Sequence, residues 1–194
     1  MRRRIVQTIS ALAANPYFPS LFKRQIYQGR LKGICVPILN CYSCPLAVGA
    51  CPIGSLQHVL ASLRSPFASA PYQSGLYIIG SLGIVGSLIG RMSCGWLCPF
   101  GLLQELLYKI PTPKTSIPRF MSYGKYAFLA IMVVALPILI VDNSGYGQTW
   151  FCKWVCPAGT LEAGIPMVGL SENIRSQVGF LFLWKVGLLV IFLG

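Results

Sequence analysis

Cys51-Pro52-Ile53-Gly54-Ser55-Leu56-Gln57, Cys98-Pro99-Phe100-Gly101-Leu102-Leu103-Gln104 and Cys156-Pro157-Ala158-Gly159-Thr160-Leu161-Glu162 are three copies of one template, Cys-Pro-x-Gly-x-Leu-[Gln/Glu]. Chance does not place three such matches in 194 residues. The second and third copies each carry another cysteine four residues upstream, Cys94 and Cys152. The first copy has a richer prelude in Cys35, Cys41 and Cys44, and Cys44 also precedes a proline.

The pattern has a physical logic. Proline lacks an N–H and has a preset φ, which suits the first position of a helix. Each Cys-Pro therefore predicts a short helix, over 52–63, 99–110 and 157–164. The free N–H groups and positive dipole of a helix start favour a neighbouring anion. Cysteine thiolates are the ligands of iron–sulfur clusters, and cysteine before proline recurs in ferredoxin motifs. All eight cysteines (Cys35, Cys41, Cys44, Cys51, Cys94, Cys98, Cys152 and Cys156) are thus candidate ligands for one to two [4Fe–4S] clusters. Zinc would account for the Cys-x3-Cys pairs but not for the prolines. A disulfide remains open for Cys35 and a neighbour. Unliganded burial of most of the eight does not explain their repetition.

Outside the motifs the chain is apolar and basic. It is 55% hydrophobic and 10% charged, with 16 Lys and Arg against 4 Asp and Glu; its mean hydropathy is +0.65. The charged fraction is far below the roughly 25% usual in soluble domains. The basic residues are scattered and no groove-reading motif accompanies them, so no nucleic-acid partner is expected. Anionic lipid headgroups and an anionic cofactor fit the positive charge better.

Two charge-free runs, 75–90 and 126–141, approach the roughly 17–25 residues of a membrane crossing. A third, 176–194, is apolar apart from Lys185, and 5–22 is the weakest of the four. Met-Arg-Arg-Arg before 5–22 resembles a signal peptide, but Asn15, Pro16 and Pro19 interrupt the run. Glycines at 80, 83, 86 and 90 suggest a helix-packing face in lipid. Pro137 would kink its span or, more simply, be a tolerated membrane proline. The expectation is an all-α integral membrane helical bundle of three to four transmembrane helices, one domain over 1–194, multi-pass in a prokaryotic cytoplasmic (inner) membrane. The compact loop from Lys109 to Lys125 would face the cytoplasm. Four crossings would place six cysteines on one side and Cys94 and Cys98 on the other.

Through Cys41-Tyr-Ser-Cys-Pro, Cys51-Pro-Ile-Gly, Cys94-Gly-Trp-Leu-Cys-Pro-Phe-Gly and Phe151-Cys-Lys-Trp-Val-Cys-Pro-Ala-Gly-Thr-Leu-Glu, the chain resembles the membrane-bound 4Fe-4S binding proteins related to the NapH and NosR families. Those serve periplasmic nitrate and nitrous-oxide respiration. The resemblance implies an electron-transfer subunit of a redox complex, without substrate chemistry of its own. It would pass electrons between a quinol or ferredoxin pool and a catalytic or electron-carrier partner, with a quinone as a further cofactor candidate. Many longer relatives carry another Cys-x3-Cys-Pro and then ferredoxin motifs. This chain lacks both, which implies truncation at the C-terminus. A different class of function, a factor for metalloenzyme assembly or regulation, shares the same motifs.

His58 is the single histidine, so a bis-histidine haem held by this chain alone is excluded. It is more simply an interfacial residue than a quinone or proton contact. Glu105 and Glu162, which follow Cys-Pro starts, are expected to cap or pair with Lys109 and Lys153 rather than relay protons. Trp96, Trp150 and Trp154 are expected to anchor at a membrane interface.

Overall fold

A computed structural model describes residues 2–23, 25–63, 71–90, 92–109, 120, 123–143, 145–176 and 178–193. In chain order the helices are α1 (Arg2–Ala14), α2 (Pro19–Lys23), α3 (Pro52–Ser62), α4 (Pro71–Leu88), α5 (Pro99–Leu107), α6 (Gly124–Phe128), α7 (Leu136–Leu139), α8 (Trp150–Trp154), α9 (Ile165–Leu170), α10 (Glu172–Ser176) and α11 (Phe180–Leu193). Among the described residues, extended pairing is confined to two isolated bridges, Cys35 with Ala50 and Val141 with Gly147.

The Cys-Pro helix starts form as the template requires. Cys51 and Cys98 are extended, with φ/ψ of −65°/133° and −76°/123°, and Pro52 and Pro99 open α3 and α5 behind them. Pro157 opens a third helical run. Among the described residues three stretches are π-helical, at Ser93–Leu97, Leu129–Ala135 and Gly159–Gly164. Two of these adjoin cysteines, in keeping with the tendency of π turns to mark functional positions.

Pro137 follows a π-helical turn. In the π turn before it, the Leu136 N–H donates to Ile131 O, five residues back. Pro137 has no N–H to continue that register, so the Met132 carbonyl is left for another donor. The Gln57 side chain of α3 supplies it, with Nε2 donating to Met132 O at 3.0 Å. The 141–147 turn is wedged beside the same elements. Gly147 N–H donates to Ala61 O at 2.9 Å, and a Cβ at Gly147 would collide with Pro137 O.

Around this pairing, α4 packs on α3, and α1 packs on Ser93–Leu97 and α5. The α1 contact is polar. Gln7 Nε2 donates to Gly95 O at 2.8 Å and Ser10 Oγ to Leu97 O at 2.9 Å. Arg4 and Arg3 reach Glu105 of α5, at 3.1 and 3.6 Å. Glu105 thus pairs with α1 rather than with Lys109.

Two expectations are overturned. Among the described residues, no helix is long and apolar enough to cross a membrane. In α4, Gln73, glycines and serines dilute an 18-residue helix, and the helical stretch within the 126–141 run ends at Leu139. The integral membrane bundle and the multi-pass inner-membrane placement are therefore corrected to a helical fold without such spans. Trp150 and Trp154 stack on each other, with ring centroids 6.1 Å apart. Most of the Lys109–Lys125 loop lies outside the described residues.

Candidate iron–sulfur site

A cavity of about 1570 Å³ opens between the first and third template copies, and Cys35, Cys41, Cys51, Cys152 and Cys156 line it. The template glycines make room beside the sulfurs. A Cβ on Gly159 would lie 3.7 Å from both Cys156 Sγ and Cys41 Sγ, and one on Gly54 would lie 3.9 Å from Cys152 Sγ. In the second copy the glycine serves backbone contact instead, since a Cβ on Gly101 would fall 2.7 Å from Cys94 O.

The helix starts face the sulfurs as the dipole argument expects. Gly159 N–H donates to Cys156 Sγ at 3.4 Å. The N–H groups of Ile53, Gly54 and Asn40 offset part of the upward push that burial gives the Cys51 thiol. Burial, reinforced by the neighbouring thiols, raises Cys152 to about 12 and Cys156 to about 11. Cys41 is also raised, chiefly by burial. Deprotonating neighbouring thiols in a poorly solvated pocket calls for a cation among them.

Two lysines supply positive charge. Lys185 of α11 donates to Cys152 O at 3.0 Å and opposes the upward shifts of Cys152 and Cys156. Lys32 donates to Tyr27 O at 2.9 Å, lies 4.6 Å from the centre of the Tyr42 ring, and has favourable electrostatics with Cys44 and Cys41. Glu162 Oε2 accepts the Cys41 N–H at 2.6 Å. Burial pushes its carboxyl up to about 7, with the Cys41 N–H pulling the other way. Glu162 therefore holds a cysteine backbone rather than pairing with Lys153, which donates instead to Gln148 Oε1 at 2.9 Å.

The remaining cysteines have other near neighbours. The Cys44 thiol is buried and points to Asn15 Oδ1 at 3.8 Å. Cys35 interacts with Ser81, and its backbone N–H donates to Tyr77 Oη at 3.4 Å. Cys94 is exposed. Cys98 is buried against Phe100, Cys156 and Ala158, with its thiol 3.8 Å from Leu39 O. The packing of Cys98 with Cys156 replaces the expected division of six cysteines from two. His58 is on the cavity wall, sharing a 3.0 Å hydrogen bond with Tyr146 Oη, and burial lowers its pKa.

Lys185, Lys32 and Gln57 were not among the expected site residues. A lone lysine in an apolar run was the available signal for Lys185, and the seventh template position was the signal for Gln57.

Among the described residues no three Cys, His, Asp or Glu side chains form a group that could hold a metal ion, and zinc leaves the prolines of the repeat unexplained. Thiols spread around a cavity suit the larger body of a polynuclear cluster, and the glycine-lined walls, N–H donors and lysines suit its charge.

The fold and site define an iron–sulfur class of protein. The family model described as "4Fe-4S binding domain" matches residues 49–70, 74–118 and 126–165, more than half of the chain. The chain belongs to the 4Fe-4S binding domain family. It is also similar to two proteins of Methanocaldococcus jannaschii. Uncharacterized protein MJ0749 is 32% identical, with 40% of this chain and 42% of the relative covered. Uncharacterized protein MJ0750 is 33% identical, with 38% and 32% covered. The chain thus spans less than half the length of these curated relatives. No solved structure matches it.

Proposed function

We propose that the chain carries one [4Fe–4S] cluster on Cys41, Cys51, Cys152 and Cys156, and passes single electrons to a catalytic or electron-carrier partner in a redox complex. The observation that carries this is that Cys41, Cys51, Cys152 and Cys156, from the first and third copies and their preludes, line one cavity together with Cys35, with glycines beside three of the four sulfurs. When bound, the cluster supplies one-electron redox chemistry. The protein's own residues hold it, aim N–H donors at the sulfurs and place Lys32 and Lys185 nearby. Those charges favour the more negative reduced state. The resemblance to NapH- and NosR-related subunits supports the same role through the same Cys-Pro motifs.

The test is a redox titration followed by EPR on anaerobically reconstituted protein. A reversible one-electron signal is expected in the wild type and in Cys94→Ala, and its loss is expected in Cys156→Ala. A signal that survives in Cys156→Ala overturns the ligand set. Absence of any reducible centre in the wild type overturns the function.

A further inference from the structure

The seventh residue of the template is used differently in its three copies. In the first, Gln57 is fully buried, and its Oε1 accepts the backbone N–H of Cys152 at 3.3 Å. In the third, Glu162 Oε2 accepts the backbone N–H of Cys41 at 2.6 Å. In the second, Gln104 is exposed. The fourth residue follows the same exchange. Gly54 of the first copy lies against Cys152 of the third, while Gly159 of the third lies against Cys41 in the prelude to the first.

We propose that the first and third copies form a reciprocal brace, in which Gln57 positions Cys152 and Glu162 positions Cys41, each copy setting a sulfur that belongs to the other. This rests on the cluster assignment proposed above for the role of those sulfurs, but not for the brace itself. The two arms are anchored differently. The Gln57 amide is held at both ends, because its Nε2 donates to the Met132 carbonyl at 3.0 Å, in the register that Pro137 leaves open. A glutamate at position 57 would turn an acceptor toward that carbonyl. Glu162 needs only one oxygen to accept from Cys41, so its amide counterpart serves equally. The brace thus accounts for the Gln/Glu alternation at the last template position: the first copy needs an amide, and the third needs only an acceptor.

Amide hydrogen exchange on the metal-free chain tests the brace without any cluster. The Cys41 amide is expected to exchange roughly tenfold faster or more in Glu162→Ala, the magnitude of a lost hydrogen bond to a charged group. The Cys152 amide is expected to do the same in Gln57→Ala and Gln57→Glu. Glu162→Gln should restore protection at Cys41, and Gln104→Ala should leave both amides as in the wild type. Glu162→Leu keeps the side-chain volume if the alanine variant unfolds, and should also expose Cys41.

On loaded protein, Gln57→Ala and Glu162→Ala should shift the EPR g-values and the reduction potential, while Gln104→Ala should not. The brace is overturned if exchange at Cys41 and Cys152 is unchanged, if Glu162→Gln fails to rescue, or if Gln104→Ala behaves like the other two. A wild type that takes up no iron refutes the cluster assignment, and the exchange experiment still decides the brace.

Discussion

Burial and mutual repulsion act on the same sulfurs. With Cys152 held near 12 and Cys156 near 11, these thiols are protonated in the metal-free chain at neutral pH. Thiolate ligation must expel those protons. Iron loading in weakly buffered solution is therefore expected to acidify the medium and to strengthen as pH rises from about 7 to 9. Loading that is independent of pH would contradict the ligand set. Lys185 acts in the opposite electrostatic sense to the thiolates. Lys185→Met should lower the reduction potential by an amount on the order of tens of millivolts, measured by redox titration. The glycines separate by what lies beside them. Gly101→Ala drives a Cβ to 2.7 Å from a backbone oxygen and should cost about 1–3 kcal/mol in denaturant unfolding. Gly54→Ala meets ordinary contacts and gains helix propensity, so the metal-free chain should be no less stable.

Among the elements, the Cys-Pro helices were legible because the chemistry is local: a proline at the first helical position needs only its own ring and its neighbour. The π turns were not legible, since their register depends on which carbonyls find donors elsewhere in the fold. Met132 shows this, because its carbonyl is claimed by a glutamine 75 positions away in sequence. The docking of α1 was hidden for the same reason. Its inward contacts come from Gln7 and Ser10, while its apolar Ile5, Ile9 and Leu12 face outward. Gln7→Ala should leave Gly95 O to the Arg3 Nε donor alone, costing about 0.5–1.5 kcal/mol and exposing 93–97 to faster hydrogen exchange. The 159–164 turn carries a pH response. Glu162 ionises at about 7 in the fold against an ordinary 4.5, so between those values the folded chain binds the extra proton. Stability of the metal-free chain should fall as pH rises through that window. Glu162→Gln should flatten the fall in pH-dependent thermal unfolding.

At the scale of the whole molecule, the repeat conveyed the site chemistry better than hydropathy conveyed the architecture. Summed hydropathy counts apolar residues without recording how long a helix remains unbroken. Here glycines and serines dilute α4, the helix of the 126–141 run ends at Leu139, and many large apolar side chains stay on the surface, among them Leu88 at 79% and Phe180 at 76% exposure. The division of cysteines failed with the spans, because Cys98 and Cys156 share one buried cluster. The choice of four sulfurs from eight also lay beyond the sequence. Spacing made Cys44 equivalent to Cys41, and only the fold turns Cys44 toward Asn15. The central claim is that one cluster bridges the first and third copies. Iron and acid-labile sulfide counts on reconstituted wild type, Cys51→Ala and Cys35→Ala test it most directly. About four of each per chain are predicted in the wild type and in Cys35→Ala, the composition of a [4Fe–4S] centre, with loss of both in Cys51→Ala. A chain without labile sulfide, or a Cys51→Ala variant that loads fully, would contradict it.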